Sequence, residues 1–173
     1  MVDIAAFIAG YTPADEARIR FDWNGKHANG FVDRNREFRQ PVREAVLADV
    51  SAAPLDLVRD LFRAETEFSR EAWCIVKGVS VLAEALLRRG GPLYLDDYLE
   101  GKFQSFDANL GSAFEYDLPL ARTMLAEVRS LLALSPTSAK TRTRQAGEEL
   151  FAYWVADCEQ RQAEPGDVPD QGR

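Results

Sequence analysis

Histidine and cysteine are scarce in this sequence, which contains one histidine and two cysteines in 173 residues. Zinc sites draw most of their ligands from these two residue types, so the usual zinc ligand sets are not available here. The cysteines, Cys74 and Cys158, lie on different predicted helices and belong to no CxxC pair. They therefore predict reduced thiols rather than a disulfide scaffold.

Motifs for the common enzyme chemistries are also missing. The sequence has no GxSxG turn, no GxxxxGK[ST] or GxGxxG phosphate loop, and no Glu-x-x-His pair of a di-iron bundle. His27 lies in the polar turn NGKHANG, where an exposed histidine without a catalytic role is the preferred interpretation. Cys74 would need a neighbouring base and an electropositive site to act as a nucleophile. We therefore favour a non-enzymatic role and expect no cofactor.

Positive charge is in deficit, with 21 Lys and Arg residues against 28 Asp and Glu residues and a net charge of −7. Nucleic-acid binding depends on a positive surface that meets the phosphates. A nucleic-acid-associated regulator that used the basic clusters at 34–43 and 140–144 is therefore the least favoured function. The acidic balance is compatible with a basic protein partner.

Long apolar runs are absent as well. The N-terminus, MVDIAAFIAGY, has no basic region and too short an apolar stretch for a secretory signal. Lys77 and Glu84 interrupt the most apolar segment, which is too short to span a membrane. We expect a cytoplasmic protein with no membrane partner.

Helical periodicity is the main signal that the sequence does carry. Apolar residues make up 46% of the chain, and they recur at helical spacing in segments that begin near prolines or capping residues. The predicted fold is all-α, a single-domain antiparallel helical bundle of six to seven helices over residues 1–161, with HEAT-like stacked hairpins as one arrangement. Residues 162–173 are polar and rich in Pro and Gly, which predicts a disordered tail.

Residues 69–89, SREAWCIVKGVSVLAEALLRR, are predicted to form one long central helix. At about 100° per residue, the larger apolar side chains share one half of the cylinder. Small residues, among them Gly78 and Ala85, form a second face that another helix could approach closely. Ser69 is the expected N-cap, and Gly90 is the expected left-handed residue after the helix.

Residues 18–34 allow two interpretations. Ile19, Phe21 and Trp23 alternate with polar residues, which is the period of a strand, and two Asn-Gly pairs are turn signals. A small hairpin of 18–23 with 30–34 is one option. A helix that runs into a loop is preferred, because an isolated hairpin is marginally stable.

Acidic and aromatic residues are concentrated between Pro92 and Asp117. This segment has six acids and one base, Lys102, so its local charge is −5. Aromatic side chains among acids suit a cationic protein surface, because rings anchor the partner and charges steer its approach. The predicted partner-binding residues are Tyr94, Asp96, Asp97, Tyr98, Glu100, Asp107, Glu115 and Asp117.

Three of these carboxylates support an enzymatic alternative. Asp96 and Glu100 are i,i+4 neighbours on one predicted helix face, and Asp107 could approach them from the following loop. Three carboxylates can hold Mg²⁺ or Ca²⁺ or divide acid and base roles in a hydrolase. A carboxylate-dependent, metal-assisted hydrolase is therefore the first alternative. The spacing matches no EF-hand loop, and we predict no metal site.

The segment LLRRGGPLYLDDYLEGKFQSFDANL, followed by DLPLARTMLAEV, has a Gly-Gly break and paired Tyr-Leu dipeptides at 94–95 and 98–99. In these features the sequence resembles small all-helical bacterial proteins of unknown function, some of which are encoded beside polymorphic toxin genes, as many immunity proteins are. The resemblance covers about a fifth of the chain. It implies a helical fold and a protein partner, and it transfers no functional residues.

The favoured function is a protein-binding module, in its concrete form an immunity-type inhibitor of a basic toxin. Its partner would be a basic protein that meets the acidic aromatic segment. A homodimer is the other assembly that the sequence leaves open, because an exposed apolar helix face often forms a dimer interface.

Overall fold

The structure is a computed structural model that describes residues 3–163. Within those residues the chain is 72% helical, with eight α-helices and no strands, which confirms the predicted all-α class. No helix in this part of the chain is long and apolar enough to cross a membrane. The helices are α1 (Ile4–Ala9), α2 (Arg36–Ala48), α3 (Leu55–Ala72), α4 (Val79–Ala85), α5 (Leu95–Lys102), α6 (Phe106–Gly111), α7 (Leu118–Leu134) and α8 (Thr141–Ala163).

The chain divides into two compact units, Met1–Glu115 and Tyr116–Arg173. The single domain over residues 1–161 stays a prediction. Of the tail predicted for 162–173, the first two residues belong to α8, and residues 164–173 lie outside the described part of the chain.

Helix α3 is the central element of the first unit. It contacts α4, α5 and α6, and it carries fully buried side chains along its length, among them Leu57, Leu61 and Phe62. Helix α5 approaches α3 so closely at Gly101 that an added Cβ atom would lie 2.4 Å from Cε1 of Phe62. Only glycine fits this contact without displacement of the ring.

The single long helix predicted for residues 69–89 is wrong, because the chain turns between α3 and α4. Helix α3 ends in a Schellman motif, in which Trp73 adopts φ 52° and the Cys74 amide donates to the Ser69 carbonyl at 3.3 Å. Ser69 is thus buried in the last turns of α3 and does not cap a new helix. Gly78, at φ 87°, then starts α4, and an added Cβ atom would lie 2.3 Å from Cδ1 of Leu47 in α2.

The end of this region also differs from the prediction. Residues Leu86–Gly90 continue α4 as one π-helical turn, and a 3₁₀ turn at Gly91–Tyr94 leads into α5. The left-handed residue is Gly91, at φ 57°, and not Gly90, at φ −96°. Arg89 donates from Nη2 to the Ala53 carbonyl at 2.8 Å and from Nη1 to the Val50 carbonyl. These bonds fasten the turn to the loop between α2 and α3.

Residues 18–34, together with the turn before them, contain elements of both interpretations that the sequence allowed. Pro13–Arg18 form a 3₁₀ helix, as expected of a helix that runs into a loop. The loop then folds back on itself through one isolated antiparallel bridge between Trp23 and Asp33. Backbone hydrogen bonds of 3.0 Å flank the bridge, from Asn24 to Val32 and from Arg34 to Asp22.

The second unit is a hairpin of α7 and α8. Asp117 caps α7 by accepting a hydrogen bond of 2.9 Å from the Leu120 amide. The ion pairs Arg122–Glu159 and Arg129–Glu148 show that the two helices run antiparallel. Their shared interior is formed by Ala121, Met124, Val128, Phe151, Trp154 and Cys158.

Candidate functional site

Four large apolar side chains are exposed where α3 ends and on α6. The exposed fractions are 77% for Trp73, 55% for Ile75, 77% for Phe106 and 48% for Leu110. Ile75 reaches α6, since a Cβ atom on Gly111 would lie 3.3 Å from Cγ2 of Ile75. Phe106 and Leu110 are one helical turn apart and therefore lie side by side. We call these four residues, which lie on neighbouring elements, the exposed apolar patch; exposed apolar surface of this kind is typical of interaction sites.

The backbone beside the patch is strained at two non-glycine residues. Trp73 has φ 52° and Ala28 has φ 53°, in the left-handed region that costs such residues about 1–2 kcal/mol each. Both line one cleft of about 650 Å³. Here the Trp73 ring stacks on His27, with ring centroids 5.7 Å apart and planes inclined by 28°. Backbone strain of this kind clusters at functional sites, and here it holds the Trp73 ring at the surface. The strained turn therefore indicates a functional role for this ring.

A buried ion network holds the helices beneath this cleft. Arg39 of α2 places Nη2 2.5 Å from Oδ2 of Asp33 and Nε 3.0 Å from Oε1 of Glu65 in α3. Arg43 Nη1 lies 3.3 Å from the other oxygen of Glu65. Although burial lowers the pKa of Arg39, the charges and hydrogen bonds of Glu65 and Asp33 raise it overall. The network joins α2 to α3, and the strained turn at Trp73 directly follows the last residue of α3.

Two of the predicted partner-binding residues are part of the interior, which corrects their assignment. Tyr98 is fully buried and stacks on Phe62 of α3, with ring centroids 6.2 Å apart. Tyr94 is 8% exposed, and its hydroxyl donates to Asp56 at 3.2 Å. Burial and Asp56 raise the pKa of Tyr94. Neither ring is available to a partner, because both are used in packing α5 against α3.

The predicted acids are distributed over more than one place. Asp97 faces the start of α3, where Asp60 chiefly, with a smaller contribution from Asp97, raises the pKa of Arg59. Asp96 and Glu100 are half-buried on α5, Asp107 is half-buried on α6 beside the exposed apolar patch, and Glu115 is exposed at the end of the first unit. Asp117 belongs to the second unit, where it caps α7.

The carboxylates of the enzymatic alternative do not converge. Among residues 3–163, no group of three or more His, Cys, Asp or Glu side chains is placed to hold a metal ion. Asp96, Glu100 and Asp107 therefore form no site of the kind that the hydrolase requires. Cys74 is a poor nucleophile, because burial, with a contribution from Asp107, raises the pKa of its thiol and keeps it protonated.

One further titratable group is buried in the first unit. Lys102 is 4% exposed, and its Nζ donates to the Asn109 carbonyl at 3.1 Å. Burial lowers the pKa of Lys102 to about 8. Since this lysine is the one base among the acids of the segment 92–117, its burial removes the compensating charge from the surface.

Sequence reasoning missed the exposed apolar patch, although signals for part of it exist. Phe106 and Leu110 are spaced as on one helix face, in a segment predicted as a loop, and they follow the capping residue Ser105, whose side chain accepts from the Ala108 amide at 3.1 Å. The exposure of Trp73 and Ile75 has no such signal, because both fit the apolar half of the helix that periodicity predicted.

Comparison with known proteins gives no indication of function, so the function is inferred from the geometry of the site. No protein-family model matches this chain, no curated protein is significantly similar to it, and no solved structure resembles it significantly.

Proposed function

We propose that this protein works by binding another protein, and that the exposed apolar patch is its binding surface. The observation that carries the proposal is the exposure of Trp73, Ile75, Phe106 and Leu110 on neighbouring elements of one unit. Aromatic residues dominate the energy of protein interfaces, and tryptophan is the most enriched of them at hot spots. The patch offers one such ring on a strained, fixed turn and a second on α6.

The acid beside the α6 half of the patch favours a basic partner, whereas bases lie beside Trp73 and Ile75. Asp107 is next to Phe106 in the same helix, and the segment that contains both has a local charge of −5. The one base of that segment, Lys102, is buried. An acidic rim around apolar anchors accelerates the approach of a positively charged protein and disfavours acidic competitors. The acids of the original prediction thus keep a role in steering, while the anchors move from the buried tyrosines to the patch.

An immunity-type inhibitor of a basic toxin is the specific form of this proposal. It combines the resemblance to helical bacterial proteins encoded beside toxin genes with the acidic surface, and it places the protein in the cytoplasm. An inhibitor needs an exposed binding surface and no catalytic group of its own.

The test is a comparison of a double variant with a single-substitution control in a pull-down from the lysate of the natural host. Phe106→Ser with Leu110→Ser removes the α6 half of the patch. Leu134→Ser is the matched control, since Leu134 is equally exposed, at 77%, but lies in α7 of the other unit. We expect the wild type and the control to retain one basic protein in stoichiometric amount, and the patch variant to lose it.

The retained protein is then titrated against each purified variant. Loss of two anchors at hot-spot cost, about 2 kcal/mol each, weakens binding by about a thousandfold. Charge reversal at Asp107 should slow association and reduce its dependence on salt, because the attraction that salt screens is weakened. The proposal fails if no protein is retained, or if the patch variant binds the retained protein as tightly as the control does.

A further inference from the structure

A cationic pocket of about 180 Å³ lies between α2 and residues 74–77. Three bases line it, Arg36 and Arg43 from α2 and Lys77 from the turn, against one carboxylate, Glu65. Glu65 is already paired with Arg39 and Arg43, so it does not neutralise the charges of the other two bases. The pocket is therefore electropositive in a chain whose net charge is −7.

The basic groups of this pocket are not saturated by the protein. Arg36 and Lys77 form no ion pair with any of the residues 3–163. The Nε atom of Arg43 is buried and has no hydrogen-bond partner within the same residues. A buried donor without a partner is costly, and an anion that accepts from it recovers that cost. The donor set consists of two guanidinium groups and one ammonium group, which suits a carboxylate or a phosphate.

Aromatic side chains continue the pocket into the wider cleft of about 650 Å³, which shares Arg36, Phe68 and Cys74 with it. The Arg36 guanidinium lies over the Phe68 ring, 4.2 Å from its centroid, and is held in place by that contact. Trp73 and His27 form a stacked pair at the cleft wall. A flat apolar molecule can lie against this wall while an attached anionic group reaches the pocket.

We propose that the pocket and the wider cleft together bind a small planar aromatic molecule that carries a carboxylate or a phosphate. The anionic group accepts hydrogen bonds from Arg36, Arg43 and Lys77, and the ring stacks beside Trp73. The dimensions agree with this division, because the smaller space fits an anionic group and the larger one fits the body of a ligand. The site is independent of protein binding by the α6 half of the exposed apolar patch.

Calorimetric titration with matched probes tests the proposal. The probes are 1-naphthyl phosphate and 1-naphthoate, their neutral counterparts 1-naphthol and 1-naphthamide, and the ring-free anions phosphate and acetate. At least one naphthyl anion should bind tenfold or more tightly than both its neutral and its ring-free counterpart. The better of the two identifies the anionic group. Binding of neither naphthyl anion, or equal binding of a neutral counterpart, would overturn the proposal.

Variants place the bound probe. Arg36→Gln and Lys77→Gln each remove one charged donor from an exposed side chain and should weaken binding about tenfold. Arg63→Gln is the control, because Arg63 is exposed on α3 and does not line the pocket. In ¹⁵N-resolved spectra the probe should shift the amides of α2 and of residues 73–78. Unchanged affinity in both pocket variants, or shifts confined to other elements, would refute the site. The Phe106→Ser, Leu110→Ser variant should bind the probe normally, which separates this proposal from the first.

Discussion

Replacement of Trp73 by glycine and by alanine measures the strain that the turn after α3 imposes. At an ordinary exposed helical position, alanine is more stable than glycine by about 1 kcal/mol. At φ 52° the order should reverse, because the left-handed conformation costs alanine about 1–2 kcal/mol and costs glycine nothing. Both variants lose the same ring, of which 77% is exposed, so the lost burial cancels between them. The glycine variant should therefore be more stable by about 1 kcal/mol.

Thermal unfolding followed by far-ultraviolet circular dichroism provides the comparison. A difference of this size corresponds to about 2–4 °C in Tm for a chain of this length. Arg63→Ala and Arg63→Gly form the control pair, because Arg63 is exposed in the interior of α3 and there alanine should be the more stable. If Trp73→Ala were as stable as Trp73→Gly while the control pair behaved normally, residue 73 would not adopt the left-handed conformation, and the Schellman end of α3 would be wrong.

Two further predictions concern buried charges. Arg39→Met leaves two buried carboxylates without their shared partner and should destabilise the protein by about 3–5 kcal/mol, whereas Arg34→Met, in an ion pair whose arginine is 61% exposed, should cost less than about 1 kcal/mol in denaturant titration. Lys102, whose folded pKa is about 8, binds fewer protons in the folded state than in the unfolded state between pH 8 and the ordinary lysine pKa near 10.5. The free energy of unfolding should therefore rise with pH from about 8 to about 10, above which ionisation of the tyrosines in the unfolded state lowers it again. The Lys102→Met variant should lose this rise. If the variant and the wild type had the same pH profile, the burial of the ammonium group would be contradicted.

The all-α class and most helix positions were predictable because they depend on local signals. Helical segments were predicted to begin near prolines or capping residues, and α7 does so, since Asp117 caps it and Pro119 follows. Helix α3 likewise begins next to a proline, Pro54, and its apolar residues follow helical spacing. Signals of this kind act within one or two turns, so they can be seen without knowledge of the tertiary contacts.

The central helix was predicted wrongly because apolar periodicity cannot distinguish one helix from two joined by an apolar turn. Trp73, Ile75 and Val76 fit the apolar half of a helix, although they lie in the turn. A tryptophan at positive φ has no signature in a sequence, since the conformation is imposed by contacts. The same turn depends on a second contact that no local pattern contains, the approach of Leu47 to Gly78 from a helix 31 positions earlier in the chain.

The candidate site shows both a missed signal and an absent one. Tyr94 and Tyr98 share the apolar stripe of their helix with Leu99, so spacing alone indicated that they are core residues and not anchors. By contrast, Arg39 looks like a member of a solvated basic face. Its burial depends on Glu65, which is 26 positions later, and no local pattern contains that pairing.

The backbone conformation of the turns at Ala28 and Trp73 determines the shape of the cleft in the first unit. Buried ion pairs join α2 to α3, and the side chains at the edge of the cleft take no part in those ion pairs. Exchange of the rim residues should therefore alter what the opening accepts and leave the opening itself intact. The first unit can therefore serve as a scaffold, from which binders for other anions can be selected by randomising positions 36, 40 and 77 of the adjoining cationic pocket.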